Sequence, residues 1–122
     1  MNALRNKVQL IGNLGMSPEV TELEGGRKVA KFTLATNETY KNQSGERVQN
    51  TNWHNIVAWG KTAELMAELL AKGKEVMVEG KLTNRSWDDK DGNKRYITEV
   101  IAHEFLVLTP REQDSNGGDV PF

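Results

Sequence analysis

Cysteine is absent from the 122 residues, which removes disulfides, thiolate nucleophiles and cysteine metal sites together. Long hydrophobic runs are missing too, and the opening residues carry no basic-then-apolar leader pattern. A cytoplasmic location is therefore expected. Histidine is scarce. His54 and His103 stand apart in strand-like segments, and neither belongs to the His-Glu-x-x-His spacing that sets two nitrogens on one helical face for zinc. Gly12-Asn13-Leu14-Gly15 lacks the lysine and the following helix of a phosphate loop. Residues 88–93 place glycine at the wrong position for a helix-loop-helix calcium site and read as a solvated hairpin turn. No Asp or Glu sits in a segment whose pattern demands burial, so nothing marks a raised-pKa acid for catalysis. No cofactor, no metal and no enzymatic activity are expected.

A strong charge of one sign is lacking as well. The net charge is −1, and it divides unevenly: residues 1–109 hold fifteen Lys and Arg against fourteen acids, whereas residues 110–122 hold one Arg against three. Any phosphate binding must then come from local arrangement rather than a global basic field. The length suits one domain. The composition shift sets the domain at 1–109 and a short flexible acidic tail at 110–122, where two glycines precede Asp119.

What the chain does contain is alternation. Residues 7–14 alternate with a bend at Gly12; a turn at 23–27 returns the chain into 28–39, where Ala30, Phe32 and Leu34 share a face, and the first two strands are expected to pair. Residues 41–50 are polar and read either as a mobile hairpin loop or as the outer part of a long ribbon. A third strand over 53–59 puts Trp53, Asn55, Val57 and Trp59 on one face and His54, Ile56 and Ala58 on the other. Helical spacing appears only over 62–72, through Leu65, Met66, Leu69 and Leu70, with Glu64 in the first turn, Lys72 in the last and Gly73 to close it. Strands over 75–85 and 95–108 complete the pattern. Five strands with one short helix between the third and fourth make an all-β, partly open barrel of the oligonucleotide-binding type; a pair of antiparallel sheets fits the same alternation.

The aromatic residues carry the functional signal. Trp53, Trp59, Trp87 and Tyr40 lie in or beside strands and are interleaved with Arg27, Lys61, Lys81, Arg85 and Arg95. Flat rings stack on unpaired bases while Lys and Arg meet phosphates, the chemistry of single-strand binding. The same rings could instead fill a barrel core. Trp87, at a hairpin mouth between Ser86 and Asp88, favours the ligand reading, whereas Phe32 and Phe105 share faces with aliphatic residues and read as core.

In order and spacing, several stretches resemble the bacterial single-stranded DNA-binding protein family: residues 6–15 with Pro18-Glu19-Val20, Phe32-Thr33-Leu34-Ala35-Thr36, Trp53-His54-Asn55-Ile56-Val57, Gly60-Lys61, Val78-Glu79-Gly80, and Trp87 with Tyr96. The resemblance implies a homotetramer that wraps single-stranded DNA in replication, recombination and repair. It implies stacking by Trp53, Trp87, Tyr40 and Trp59, and a subunit-interface position for His54. It also implies that Asp119, Val120, Pro121 and Phe122 form a tip recruiting DNA-processing proteins. Two departures accompany it: the tip has a sparser acidic run than the family's, and the linker is short. The alternatives are an oligonucleotide-binding barrel that handles RNA, and a protein-interaction subunit.

Overall fold

Alternation at period two becomes a closed sheet in the computed structural model, which describes residues 3–109. The expected tail and its tip, Asp119, Val120, Pro121 and Phe122, lie outside the described residues. The strands are β1 (Val8–Leu14), β2 (Glu19–Glu22), β3 (Lys28–Lys41), β4 (Arg47–Trp59), β5 (Glu75–Asp88) and β6 (Lys94–Val107), with helix α1 (Gly60–Leu69) between β4 and β5. Hydrogen bonding runs in the order β1-β5-β6-β4-β3, and β1 returns to β3 to close a five-stranded barrel. The short β2 adds to the edge of β3, pairing Glu19–Glu22 with Lys31–Lys28. The sequence reading did not anticipate it, because its residues are exposed and offer no alternation to read.

The expected pairing of the first strand with residues 28–39 exists but is brief. Only Asn13 and Leu14 pair with Ala35 and Leu34, while Val8 to Asn13 pair with Gly80 to Glu75 on β5. Gly12 is required at this crossing: a Cβ there would overlap the Ala35 carbonyl oxygen. At the other end of β1 the Asn6 side chain prolongs the ladder, donating to Leu82 O at 2.9 Å and accepting from Leu82 N–H at 3.1 Å.

Inside the barrel Leu34, Ile56, Met66, Val76 and Val78 are fully buried, and Phe32 joins them at 2% exposure. Phe105 packs against this cluster from its margin. Each such side chain contributes roughly 1.5–3 kcal/mol by leaving water. Helix α1 packs Ala63 and Met66 into the core, and Leu70, the residue that caps it, is buried as well. The helix differs from its expected span. It begins at Gly60 and ends at Leu69, so Glu64 lies past the first turn and Lys72 beyond the last; Leu65 and Leu69 remain exposed. Tertiary bonds explain the early end. Leu70 turns extended, the Lys72 N–H donates to Ser17 Oγ at 3.1 Å, and the Gly73 N–H donates to Leu14 O at 2.9 Å.

Residues 41–50 form the outer part of a ribbon. β3 and β4 stay paired out to Lys41 and Arg47, and β5 and β6 out to Asp88 and Lys94. One turn design closes both hairpins: Asn42 Oδ1 accepts the N–H groups of Ser44 and Glu46, each at 2.9 Å, and Asp89 Oδ1 accepts those of Asp91 and Asn93 at 2.9 and 2.8 Å. Residues 88–93 are thus a hairpin turn, as read from the sequence.

Candidate nucleic-acid interface

Pleating fixes which residues share the outer face. Register pairs Ala35 with Trp53, Thr33 with Asn55, Lys31 with Val57 and Val29 with Trp59. Asn55 then lies beside Glu99, and Val57 beside Ile101. Across β5 and β6, Lys81 faces Ile101, Thr83 faces Glu99, Arg85 faces Ile97 and Trp87 faces Arg95. One continuous outer surface therefore carries all three tryptophans, Lys31, Lys81, Arg85 and Arg95. A core role for the indoles is excluded by their exposure: 61% for Trp53, 39% for Trp59 and 42% for Trp87.

Beside the Trp59 ring this outer surface is hollow. One stretch, about 670 Å³, is bordered by Trp59, Leu23, Asn84 and Ile101; a second, about 210 Å³, is bordered by Met16, Thr33, Asn55 and Ile97. The two share Lys31, Val57, Arg85 and Glu99, so they form one groove. Its walls mix apolar side chains with amides and hydroxyls, suited to flat bases and polar edges together.

Each indole has a support. The Arg27 guanidinium lies over the Trp59 ring at 5.1 Å from its centroid, and that of Arg85 over the Trp87 ring at 5.3 Å. Trp53 packs against Gly15 and Thr33 so closely that a Cβ at residue 15 would stand 2.5 Å from the indole Cζ3. Arg85 also pairs with Glu99, Nε to Oε1 at 3.0 Å and Nη2 to Oε2 at 3.1 Å, which raises the guanidinium pKa further. Arg95 Nε donates to Asp89 Oδ2 at 2.8 Å. Hydrogen bonds from the Asn93 backbone, then from Arg95, hold the Asp89 carboxyl below its ordinary value. Lys61, at the start of α1 beside Trp59, and Lys81 are exposed.

Tyr40 and His54, singled out from the sequence, lie off this outer face. Tyr40 is exposed, but the unbroken register from Val29 to Lys41 puts it on the opposite pleat from Ala35 and Trp53, out on the β3–β4 ribbon. His54 is half-buried on the face opposite Trp53, its Nε2 bonded to Thr36 Oγ1 at 2.9 Å. Other groove residues escaped the sequence reading. Lys31 is not among the cations that the aromatic pattern singles out, although its outward parity on β3 signals its place. Gly15 carries no chemistry of its own and matters as the space that the Trp53 ring occupies, while Thr33 borders the groove. Glu99 is buried although no sequence pattern demands it: it is 6% exposed, tolerated there because Arg85 takes both of its oxygens. Among the described residues, no group of three or more His, Cys, Asp or Glu is placed to hold a metal ion, and no helix is long and apolar enough to cross a membrane.

Comparison with known proteins points the same way. The family model described as "Single-strand binding protein family" matches residues 5–108. The chain is 48% identical over 114 residues to a protein of Chlorobaculum tepidum named single-stranded DNA-binding protein 1, covering 93% of this chain and 69% of that one. It is 43% identical over 112 residues to a Xylella fastidiosa protein of the same name, covering 91% and 82% respectively. A solved structure described as a Plasmodium falciparum SSB complex with ssDNA superposes with a TM-score of 0.79 at 37% identity, covering 84% of this chain and 94% of that one.

Proposed function

The chain belongs to the single-strand binding protein family, and from that premise we propose that its groove binds and protects single-stranded DNA without reading sequence, in replication, recombination and repair. The observation that carries this is the set of three exposed, individually supported indoles that share one outer face with the groove and several cations. Trp53, Trp59 and Trp87 stack on bases. Arg27, Lys31, Lys61, Lys81 and Arg95 meet phosphates from the groove and its rim. Tyr40 extends the stacking surface along the ribbon for a strand that passes around it. The action is binding, with no covalent step: stacking costs the strand its disorder and returns about 1–3 kcal/mol per base.

The assembly is proposed as a homotetramer, with His54 at a subunit contact, because a single barrel offers too short a path for a wrapped strand. Light scattering at micromolar concentration reads this directly; a monomer mass overturns it. Asp119, Val120, Pro121 and Phe122 are proposed to recruit DNA-processing proteins, an aromatic ring entering a pocket and the aspartate meeting a basic rim. The working location is the cytoplasm, on the nucleoid.

Tryptophan fluorescence during titration with poly-dT tests the main reading. Stoichiometric quenching that survives excess duplex supports it. Equal competition by a matched RNA would move the assignment to the RNA-handling alternative, and no binding by fluorescence or gel shift would overturn the nucleic-acid reading altogether.

A further inference from the structure

The groove holds a negative charge at its centre, where a polyanion passes. Glu99 and Arg85 line both of its stretches. Glu99 is 6% exposed and stands between Asn55 on β4 and Thr83 on β5. Both carboxylate oxygens are used by the one guanidinium, at 3.0 and 3.1 Å. A bidentate pair of this kind fixes the plane of the guanidinium as well as its position. The Cζ of that guanidinium lies over the Trp87 ring, 5.3 Å from its centroid. Arg85 is therefore held by an acid on its donor edge while it sits against an indole. A guanidinium has five N–H donors in one plane, and the edge bearing Nε and one Nη is spent on Glu99.

On the reading of the groove as the single-strand path, we infer that Glu99 and Arg85 form a positioning unit for Trp87 rather than a phosphate contact. Glu99 orients the guanidinium, the guanidinium backs one face of the indole, and the other face is left to a base. The pair is close to neutral for a passing backbone, so Arg85 releases no counterion when the strand binds. Phosphates are directed instead to the other cations of the face and its rim, such as Lys31, Lys61 and Lys81, which have no acid bound to them among the described residues. This moves Arg85 out of the set of backbone contacts read from the sequence.

The two roles differ in salt dependence. For single strands, each phosphate neutralised adds about 0.7 to the slope of log affinity against log salt. Titration with a dT oligonucleotide at several salt concentrations, for wild type, Arg85→Gln, Glu99→Gln and the double variant, separates them. Arg85→Gln is expected to bind roughly fivefold to tenfold more weakly, with a shallower slope set by the bare Glu99 carboxylate it leaves in the groove, so the slope is decided by the other two variants. Glu99→Gln is expected to steepen the slope by about 0.7, since the freed Arg85 can take a phosphate. The double variant is expected to return to the wild-type slope, which assigns the change to Arg85. Arg85→Gln leaves a buried carboxylate unpaired, so if that variant fails to fold, the Glu99→Gln and double variants still decide. An unchanged slope in Glu99→Gln, or a double variant with a slope about 0.7 shallower than wild type, overturns the inference while leaving single-strand binding intact. Failure of the wild type to bind the oligonucleotide overturns both.

Discussion

The Arg27 guanidinium lies 5.1 Å from the centroid of the Trp59 ring, so the residue just before β3 reaches the last residue of β4 and holds its ring at the edge of the groove. An exposed cation–π contact is worth about 0.5–1 kcal/mol. Arg27→Gln is expected to weaken single-strand binding by that amount and to leave thermal stability nearly unchanged. Fluorescence titration beside a melting curve checks it; a loss of folding would place Arg27 in the structure rather than at the ligand.

Trp53 and Trp87 stand on different strands of the same face and both are exposed. Replacing both with alanine is expected to cost roughly 1–3 kcal/mol of binding per lost stack while the barrel stays folded. Circular dichroism and an oligonucleotide titration of the same preparation suffice. A folded double variant with wild-type affinity would refute the assigned surface.

Gly12 and Gly15 are neighbours with opposite consequences. A Cβ at Gly12 meets backbone, the Ala35 carbonyl, and nothing there can yield; a Cβ at Gly15 meets the exposed Trp53 ring and the Thr33 hydroxyl. Gly12→Ala is expected to destabilise the barrel by about 1–3 kcal/mol or more, read by chemical denaturation. Gly15→Ala is expected to displace the indole and show its larger effect in DNA affinity. Equal effects of the two on stability would contradict this division.

Acid acts on one arm more than on the other. The Asp89 carboxyl is held below its ordinary 3.8 by the Asn93 backbone and Arg95, so its contribution is complete above the unfolded value of about 3.9 and is lost as pH falls through the folded value. Asp89→Asn is expected to be less stable than wild type at neutral pH, with the gap closing below about pH 4. Denaturation of both proteins across that range measures it; a gap independent of pH would show that the charge is not the cause. The β3–β4 turn, closed by the neutral Asn42, is expected to show no such dependence.

Alternation and spacing made much of this molecule legible in advance. The Ala30, Phe32 and Leu34 face, the single helix and the hairpin at 88–93 follow from period and turn chemistry, which are local. The tryptophans were legible as a set of three large rings beside cations, but only their exposure decides against the barrel core that the same rings could have filled. What was not legible depends on partners remote in the chain. Helix α1 stops where Ser17 and Leu14 claim the next backbone groups. Glu99 reads as an ordinary polar strand residue until β5 brings Arg85 across from its neighbourhood, and Tyr40 reads as one more ring of the row until the register puts it on the other pleat. Gly15 gives no signal, since its role is the space it leaves.

The two seams that close the barrel are its shortest ladders: Asn13 and Leu14 against β3, and Asn55 to Val57 against β6. The long hairpins β3–β4 and β5–β6 join neighbours in the chain, and hairpins of this type form in about 1–10 μs. The seams join residues far apart in sequence and must bear the loop-closure entropy for few hydrogen bonds each. Folding is thereby divided in time: two arms assemble early from local pairing, and the curved surface that seats the bases exists only once the last and least favourable contacts have been made.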